Sequence, residues 1–148
     1  MKKFFLNTSR VLISVLFIFS GVSKLFSWNS SVERLSTALN EWHINLFDKF
    51  NISLVDSYIS SHAVYLLAVA TILEIVGGVL IFFGYKVKIG ASLLLVFLIP
   101  VTFIMFPIWF HSQEKAMEII PTILKNFSLI GTFIYIIATT EKKYKLEI

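Results

Sequence analysis

The chain has no cysteine among its 148 residues. That excludes structural disulfides, thiolate metal ligands and thiol–disulfide relays, and with them the membrane enzymes that work through paired cysteines. Charge is also scarce, since Asp, Glu, Lys and Arg make up 15% of the residues, where about a quarter is usual for a soluble protein. Histidine occurs three times, at His43, His62 and His111. Those spacings match no local ligand pattern, so no metal is expected. What fills the chain instead is 57% hydrophobic residues, 15 of them Phe, and the mean hydropathy is +0.82. Such a composition suits lipid contact better than a water-facing surface. The net charge of +4 does not point to nucleic acid, because the Lys and Arg residues are scattered at the ends of apolar segments rather than gathered on one face.

A helix needs roughly 20 mostly apolar residues to span a bilayer. Four stretches qualify, residues 4–26, 63–85, 89–110 and 121–140, and they predict an all-α, integral membrane four-helix bundle forming a single domain over residues 1–148. Lys2 and Lys3 ahead of an apolar run resemble the start of a secretory signal. The run is too long for one, contains Arg10 and lacks a small-residue cleavage site, so it is read as the first helix. Pro121 suits a first helical turn, which places Lys125 near the outer end of the fourth helix. Lys2, Lys3, Arg10, Lys86, Lys88, Lys142, Lys143 and Lys145 fall on one side of these spans. By the positive-inside rule that side is cytoplasmic, with both termini there.

The connection from Ser27 to Ser61 is too long for a plain loop and has a helical period of its own. Val32, Leu35, Leu39 and Trp42 recur at three- and four-residue steps, while Glu33, Arg34, Asn40 and Glu41 take other faces. An interfacial, extracytoplasmic amphipathic segment is expected, with Ser30 and Glu33 matching a capping box and Trp28 and Trp42 at headgroup depth. A second short amphipathic stretch, residues 46–59, is expected to lead into the second span.

Glu74 carries the most information, because it lies near the middle of a span with no other charge. A carboxylate at the bilayer centre costs about 3 kcal/mol on insertion scales, so Glu74 should face the bundle interior and have a proton or a partner. Ala70, Thr71, Gly77 and Gly78, three or four positions away, form a small-residue stripe that admits a close neighbour. The first helix has a matching stripe in Arg10, Ser14, Phe17, Gly21 and Lys24. Lys24 is the favoured partner of Glu74 over Arg10, since Lys24, Lys125, Asn126 and His111 all project from outer helix ends. Two readings of Glu74 stand side by side, a ligand- or proton-handling group and a structural tie between helices. Basic residues at helix ends also commonly reach out to headgroups, which is the plain account of Lys24, Lys125 and Arg10. Pro100 and Pro107 kink or end the third helix and free backbone carbonyls that Thr102 or a ligand can answer.

Three pieces together resemble the DoxX family. They are Arg10 followed by Leu16 to Leu25, with its Gly21-Val22-Ser23-Lys24-Leu25 ending; Glu74-Ile75-Val76-Gly77-Gly78 with Gly84 beyond it; and Leu124-Lys125-Asn126-Phe127-Ser128-Leu129-Ile130-Gly131. The resemblance implies a four-helix membrane bundle. It also implies a link to membrane oxidoreductase complexes, since the family takes its name from a subunit of a thiosulfate:quinone oxidoreductase, while distant relatives include secretory cargo receptors.

The leading expectation is a small subunit or accessory protein of a quinone-linked redox system, holding a lipophilic ligand, a quinone for example, near Glu74, Lys24, His111, Lys125 and Asn126, with Arg10 as the further polar candidate. Glu74 would handle a proton, Lys24 and Lys125 would steady an oxyanion, and Asn126 or His111 would donate to a carbonyl. Electron transfer would then need a redox partner protein or a bound cofactor. The alternative is a non-enzymatic scaffold or receptor; transport is disfavoured because four helices without repeats rarely enclose a pathway. The bilayer is the certain partner and a homo-oligomer is compatible with the pattern. The Ile, Phe and Lys bias points to a bacterial inner membrane.

Overall fold

The computed structural model describes residues 1–47 and 55–145. Five α-helices account for nearly all of them: α1 (Lys2–Phe26), α2 (Trp28–Phe47), α3 (Val55–Phe82), α4 (Val87–Met105) and α5 (Gln113–Lys145), with a short 3₁₀ turn at Ile108–Phe110 between the last two. Four segments are long and apolar enough to cross a membrane, Phe4–Phe26, His62–Phe82, Val87–Phe110 and Gln113–Thr140. The chain is an all-α membrane helical bundle. Large apolar side chains such as Leu12, Phe19, Val69, Ile72 and Tyr135 are exposed on the outside of these spans. In water that surface would aggregate, whereas in a bilayer it meets acyl chains.

The interior is held by close fit, since lipid tails leave little hydrophobic force between spans. Phe17 of α1 and Phe133 of α5 meet with ring centroids 5.4 Å apart, in a core completed by Ile81, Ala91, Leu94, Phe97 and Leu98. Glycine sets how near the helices come. A side chain on Gly78 would lie 2.9 Å from Ile18 Cγ1 and 3.4 Å from the Ser14 carbonyl, so α1 and α3 pack backbone to backbone there. Its neighbour Gly77 faces the other way, with the Gly90 carbonyl of α4 3.0 Å from its virtual Cβ.

The helix ends follow local chemistry. The Ser27 amide and hydroxyl both donate to the Ser23 carbonyl, at 3.0 and 2.8 Å, and close α1. Helix α2 starts one residue later, with the Ser31 amide on the Ser27 carbonyl at 3.0 Å. The expected capping box therefore does not form, because Ser30 already lies inside α2. The α3–α4 turn uses Gly84 at φ +69° and Lys86 at φ 45°, left-handed conformations that suit the glycine and strain the lysine. Helix α4 stops at Met105 because Phe106 precedes Pro107, which disfavours helical geometry at the residue before it. Helix α5 begins at Gln113, so Pro121 sits well inside it rather than in its first turn. The Ser112 carbonyl accepts the Ala116 amide at 2.9 Å, and the helix runs through Glu114, Lys115 and Glu118 before reaching its apolar part. The second amphipathic stretch expected over residues 46–59 lies largely outside the described residues, apart from the ends of α2 and α3.

Helix α2 docks on one end of the bundle. Leu35 packs with Ala63 and Leu67 of α3, flanked by Trp28, Val32, Leu39, Ile104 and Met105. Trp42 Nε1 donates to the Ile104 carbonyl at 3.2 Å, and its ring meets Trp109 and Phe110 edge-on with centroids 5.5 and 5.1 Å away. Trp42→Phe keeps the ring but loses the donor, a loss of about 1 kcal/mol. Faster tryptic cleavage after the exposed Arg34, with unchanged helix content by circular dichroism, is the expected result; equal cleavage rates would show that this bond does not hold α2 down.

Candidate functional site

Antiparallel packing of α1 on α3 sets a simple register. Arg10 lies at Gly84, Ser14 and Ile18 at Gly78, and Gly21 at Glu74 and Ile75. The absence of a side chain at Gly21 leaves room for the Glu74 carboxylate, whose Oε2 is 3.7 Å from where a Cβ would stand. Glu74 is 2% exposed.

Lys24 lies in the last turn of α1, one turn nearer the helix end than Gly21. Side chains on a helix lean toward its N-terminus, so the Lys24 stem runs back into the bundle rather than out to the headgroups. Its ammonium donates to the Ser20 hydroxyl at 2.9 Å and forms an ion pair with Glu74 Oε2. It also stands 5.4 Å from the centre of the Phe97 ring, within cation–π range. Three helices therefore hold one cation: α1 through Ser20, α3 through Glu74 and α4 through Phe97. The Lys24 side chain keeps 23% of its surface exposed, so the pair is approachable from that side. Among the described residues the other carboxylate oxygen, Oε1, receives no hydrogen bond. Thr71, one turn away on α3, spends its hydroxyl on the Leu67 carbonyl at 2.7 Å.

The structure brings Lys24 and Glu74 together and distributes the other expected residues elsewhere. Asn126 is buried between α5 and α4, where its Nδ2 donates to Thr102 Oγ1 at 3.0 Å. Thr102 in turn donates to the Leu98 carbonyl four residues back at 2.6 Å, and not to the Val96 carbonyl freed by Pro100. His111 Nε2 lies 3.8 Å from Glu41 Oε2 of α2, beside the Trp42, Trp109 and Phe110 rings. Lys125 is exposed on α5. Arg10 is at the opposite end of α1, over Gly84. Phe97 is the residue that sequence reasoning did not place around Lys24. Ser20 was readable, standing one turn before it; Phe97 was not, because nothing local singles out one phenylalanine among fifteen.

The Asn126–Thr102 contact joins α4 to α5 away from the charged pair. Thr102→Val would leave the buried Asn126 amide without its acceptor, and a loss of about 1–3 kcal/mol is expected. Unfolding in mixed detergent micelles measures it, and the double variant Thr102→Val with Asn126→Leu should lose less than the sum of the two single changes.

Four apolar spans, an amphipathic helix seated on one end and a charge pair held among three of the spans define a multi-pass membrane protein of the small helical-bundle class. The DoxX family matches residues 5–107, from the first turns of α1 to just past the end of α4. The chain belongs to that family. Arg10, Lys24 and Glu74 fall within the matched part, and His111, Lys125 and Asn126 lie beyond it. No curated protein and no solved structure matches the chain.

Proposed function

We propose that this DoxX protein is an accessory subunit of a quinone-linked membrane redox system and binds a lipophilic carbonyl compound, of the quinone class, beside Lys24 and Glu74. The observation that carries this reading is the pair itself. Lys24 has three N–H donors, of which Ser20 and Glu74 take two, and Glu74 Oε1 has acceptor capacity left. A donor next to an acceptor inside a membrane bundle complements a ligand that alternates between a carbonyl and a hydroxyl. On this reading Lys24 donates to the carbonyl and Glu74 takes or returns the proton, while the electrons pass to a partner protein. The distribution of Lys and Arg supports both termini being cytoplasmic with α2 on the outer face, and the Ile, Phe and Lys bias supports a bacterial inner membrane.

A second reading is a scaffold or receptor. It is favoured by α2, which is anchored through Leu35 and Trp42 yet leaves Glu33, Arg34 and Asn40 exposed for a partner. One experiment separates the two. The protein is purified from native membranes in mild detergent, and co-purifying quinones, lipids and proteins are identified by mass spectrometry for the wild type and Glu74→Gln. A quinone kept by the wild type and lost by the folded variant supports the redox site. A protein partner retained by both, with no quinone in either, replaces it with the scaffold.

A further inference from the structure

The Lys24–Glu74 pair is sealed toward one end of the bundle and lined with hydroxyls toward the other. Between Glu74 and the α3–α4 turn the interior is filled by Phe17, Ile81, Ala91, Leu94 and Phe133, each at most 2% exposed. The helices leave no gap there: a Cβ on Gly77 would stand 2.7 Å from Leu94 Cγ, and one on Gly78 2.9 Å from Ile18 Cγ1. Ser14, the hydroxyl of that stretch of α1, is buried and donates to the Arg10 carbonyl of its own helix. A water needs room and two or more polar partners, and this core offers neither. Roughly 16 Å of helix separates Gly21, level with Glu74, from Arg10, where charge next appears on α1.

The α2 end differs. Lys24 is attached near the end of the span Phe4–Phe26, and its side chain is 23% exposed. Ser20, Ser23 and Ser27 recur at three- and four-residue steps, hence on one face of α1, with Ser20 half-buried and the other two exposed. Ser20 accepts the Lys24 ammonium at 2.9 Å and the Ser27 hydroxyl donates to the Ser23 carbonyl at 2.8 Å, so each hydroxyl oxygen keeps a lone pair for water. Among the described residues the charged group that meets Glu74 is Lys24; α4 presents Phe97 to the pair and α5 contributes Phe133 to the core. We propose that Glu74 exchanges its proton with water on the α2 side alone, along Ser27, Ser23 and Ser20 and past Lys24, with the apolar core as the seal on the other side. When the carboxyl O–H breaks, the proton leaves on a water that has entered by that face, and the Lys24 ammonium holds the carboxylate left behind. The inference rests on the pair and not on what the pair binds; for a quinol it fixes the face to which the proton goes.

The absence of native cysteine makes a single introduced thiol readable in the full chain. Ser14→Cys, Ser20→Cys and Glu74→Cys are reconstituted in sealed, quinone-free vesicles of one orientation, with Thr37→Cys on α2 and Lys86→Cys on the α3–α4 turn marking the two faces. Silver ion, which does not cross the bilayer, is added on one side at a time, and thiols it has reached resist later alkylation, read by mass spectrometry. Ser20→Cys and Glu74→Cys should be protected from the face that protects Thr37→Cys and not from the face that protects Lys86→Cys, while Ser14→Cys is protected from neither. Ser20→Cys is nearly isosteric and decides the matter where Glu74→Cys does not fold. Protection of Ser20→Cys or of folded Glu74→Cys from the Lys86 face or from neither face, or protection of Ser14→Cys from the Lys86 face, overturns the proposal. Since no quinone is present, either result leaves the ligand to be judged by co-purification.

Discussion

Lys24→Met is expected to destabilise the protein far more than Glu74→Gln. The two partners are unequally placed, with Glu74 2% exposed and the Lys24 side chain 23% exposed. Removing the lysine leaves a carboxylate unpaired among apolar helices, and breaking a buried pair in that way costs about 3–5 kcal/mol. Glutamine at position 74 keeps an oxygen for the Lys24 ammonium, which also retains Ser20 and the Phe97 ring. Lys24→Met combined with Glu74→Leu should recover most of the loss, because it removes both desolvated charges together. The four proteins are compared by reversible unfolding in mixed micelles. A Lys24→Met variant as stable as the wild type would mean that the pair contributes little to folding. The same series bears on function, since Glu74→Gln is the variant that should fold and still fail to hold a quinone.

The second large effect comes from one methyl group placed at two glycines. Gly90→Ala puts a Cβ 2.9 Å from the Gly77 carbonyl and 3.0 Å from Ile81 Cγ1 and Leu80 Cβ. A backbone carbonyl cannot swing aside as a side-chain tip does, so α3 and α4 must separate, at a cost of about 1–3 kcal/mol. Gly131→Ala meets nothing within 4 Å. There the change removes a flexible residue from the middle of α5 and should stabilise it by about 0.5–1 kcal/mol. Opposite signs in the same unfolding assay are expected, and matching signs would show that helix propensity outweighs the α3–α4 contact.

Much of the α1–α3 face was legible because both helices repeat their small and polar residues at three- and four-residue steps. The stripes of Arg10, Ser14, Gly21 and Lys24 on α1 and of Ala70, Thr71, Gly77 and Gly78 around Glu74 on α3 marked the packed faces, while spacing alone did not decide between Lys24 and Arg10 as the partner of Glu74. The lean of helical side chains explains why Lys24 reaches inward to Glu74. Contacts between other helices left no such trace. Gly90 shows nothing in its own neighbourhood to say that it meets Gly77, and the sequence around Asn126 groups it with the polar residues at helix ends although it is buried against Thr102. The start of α5 was hidden for a related reason. Glu114, Lys115 and Glu118 interrupt the apolar pattern without interrupting the helix, since a charged first turn outside the hydrocarbon costs nothing. The start of α2 was misplaced because Ser30 and Glu33 have the right spacing for a cap, yet Ser27 alone suffices to end one helix and begin the next.

That single serine makes α2 a strut. Twenty residues of helix form a rod about 30 Å long. It is joined at one end to α1 three residues beyond Lys24 and pinned toward the other by Trp42 to the last turn of α4. With α1 and α4 packed against α3, the strut closes a triangulated frame around the charged pair. A sideways load on the exposed face of α2 is therefore delivered as a twist to the final turn of α1, and the atom with the longest lever arm on that turn is the Lys24 ammonium.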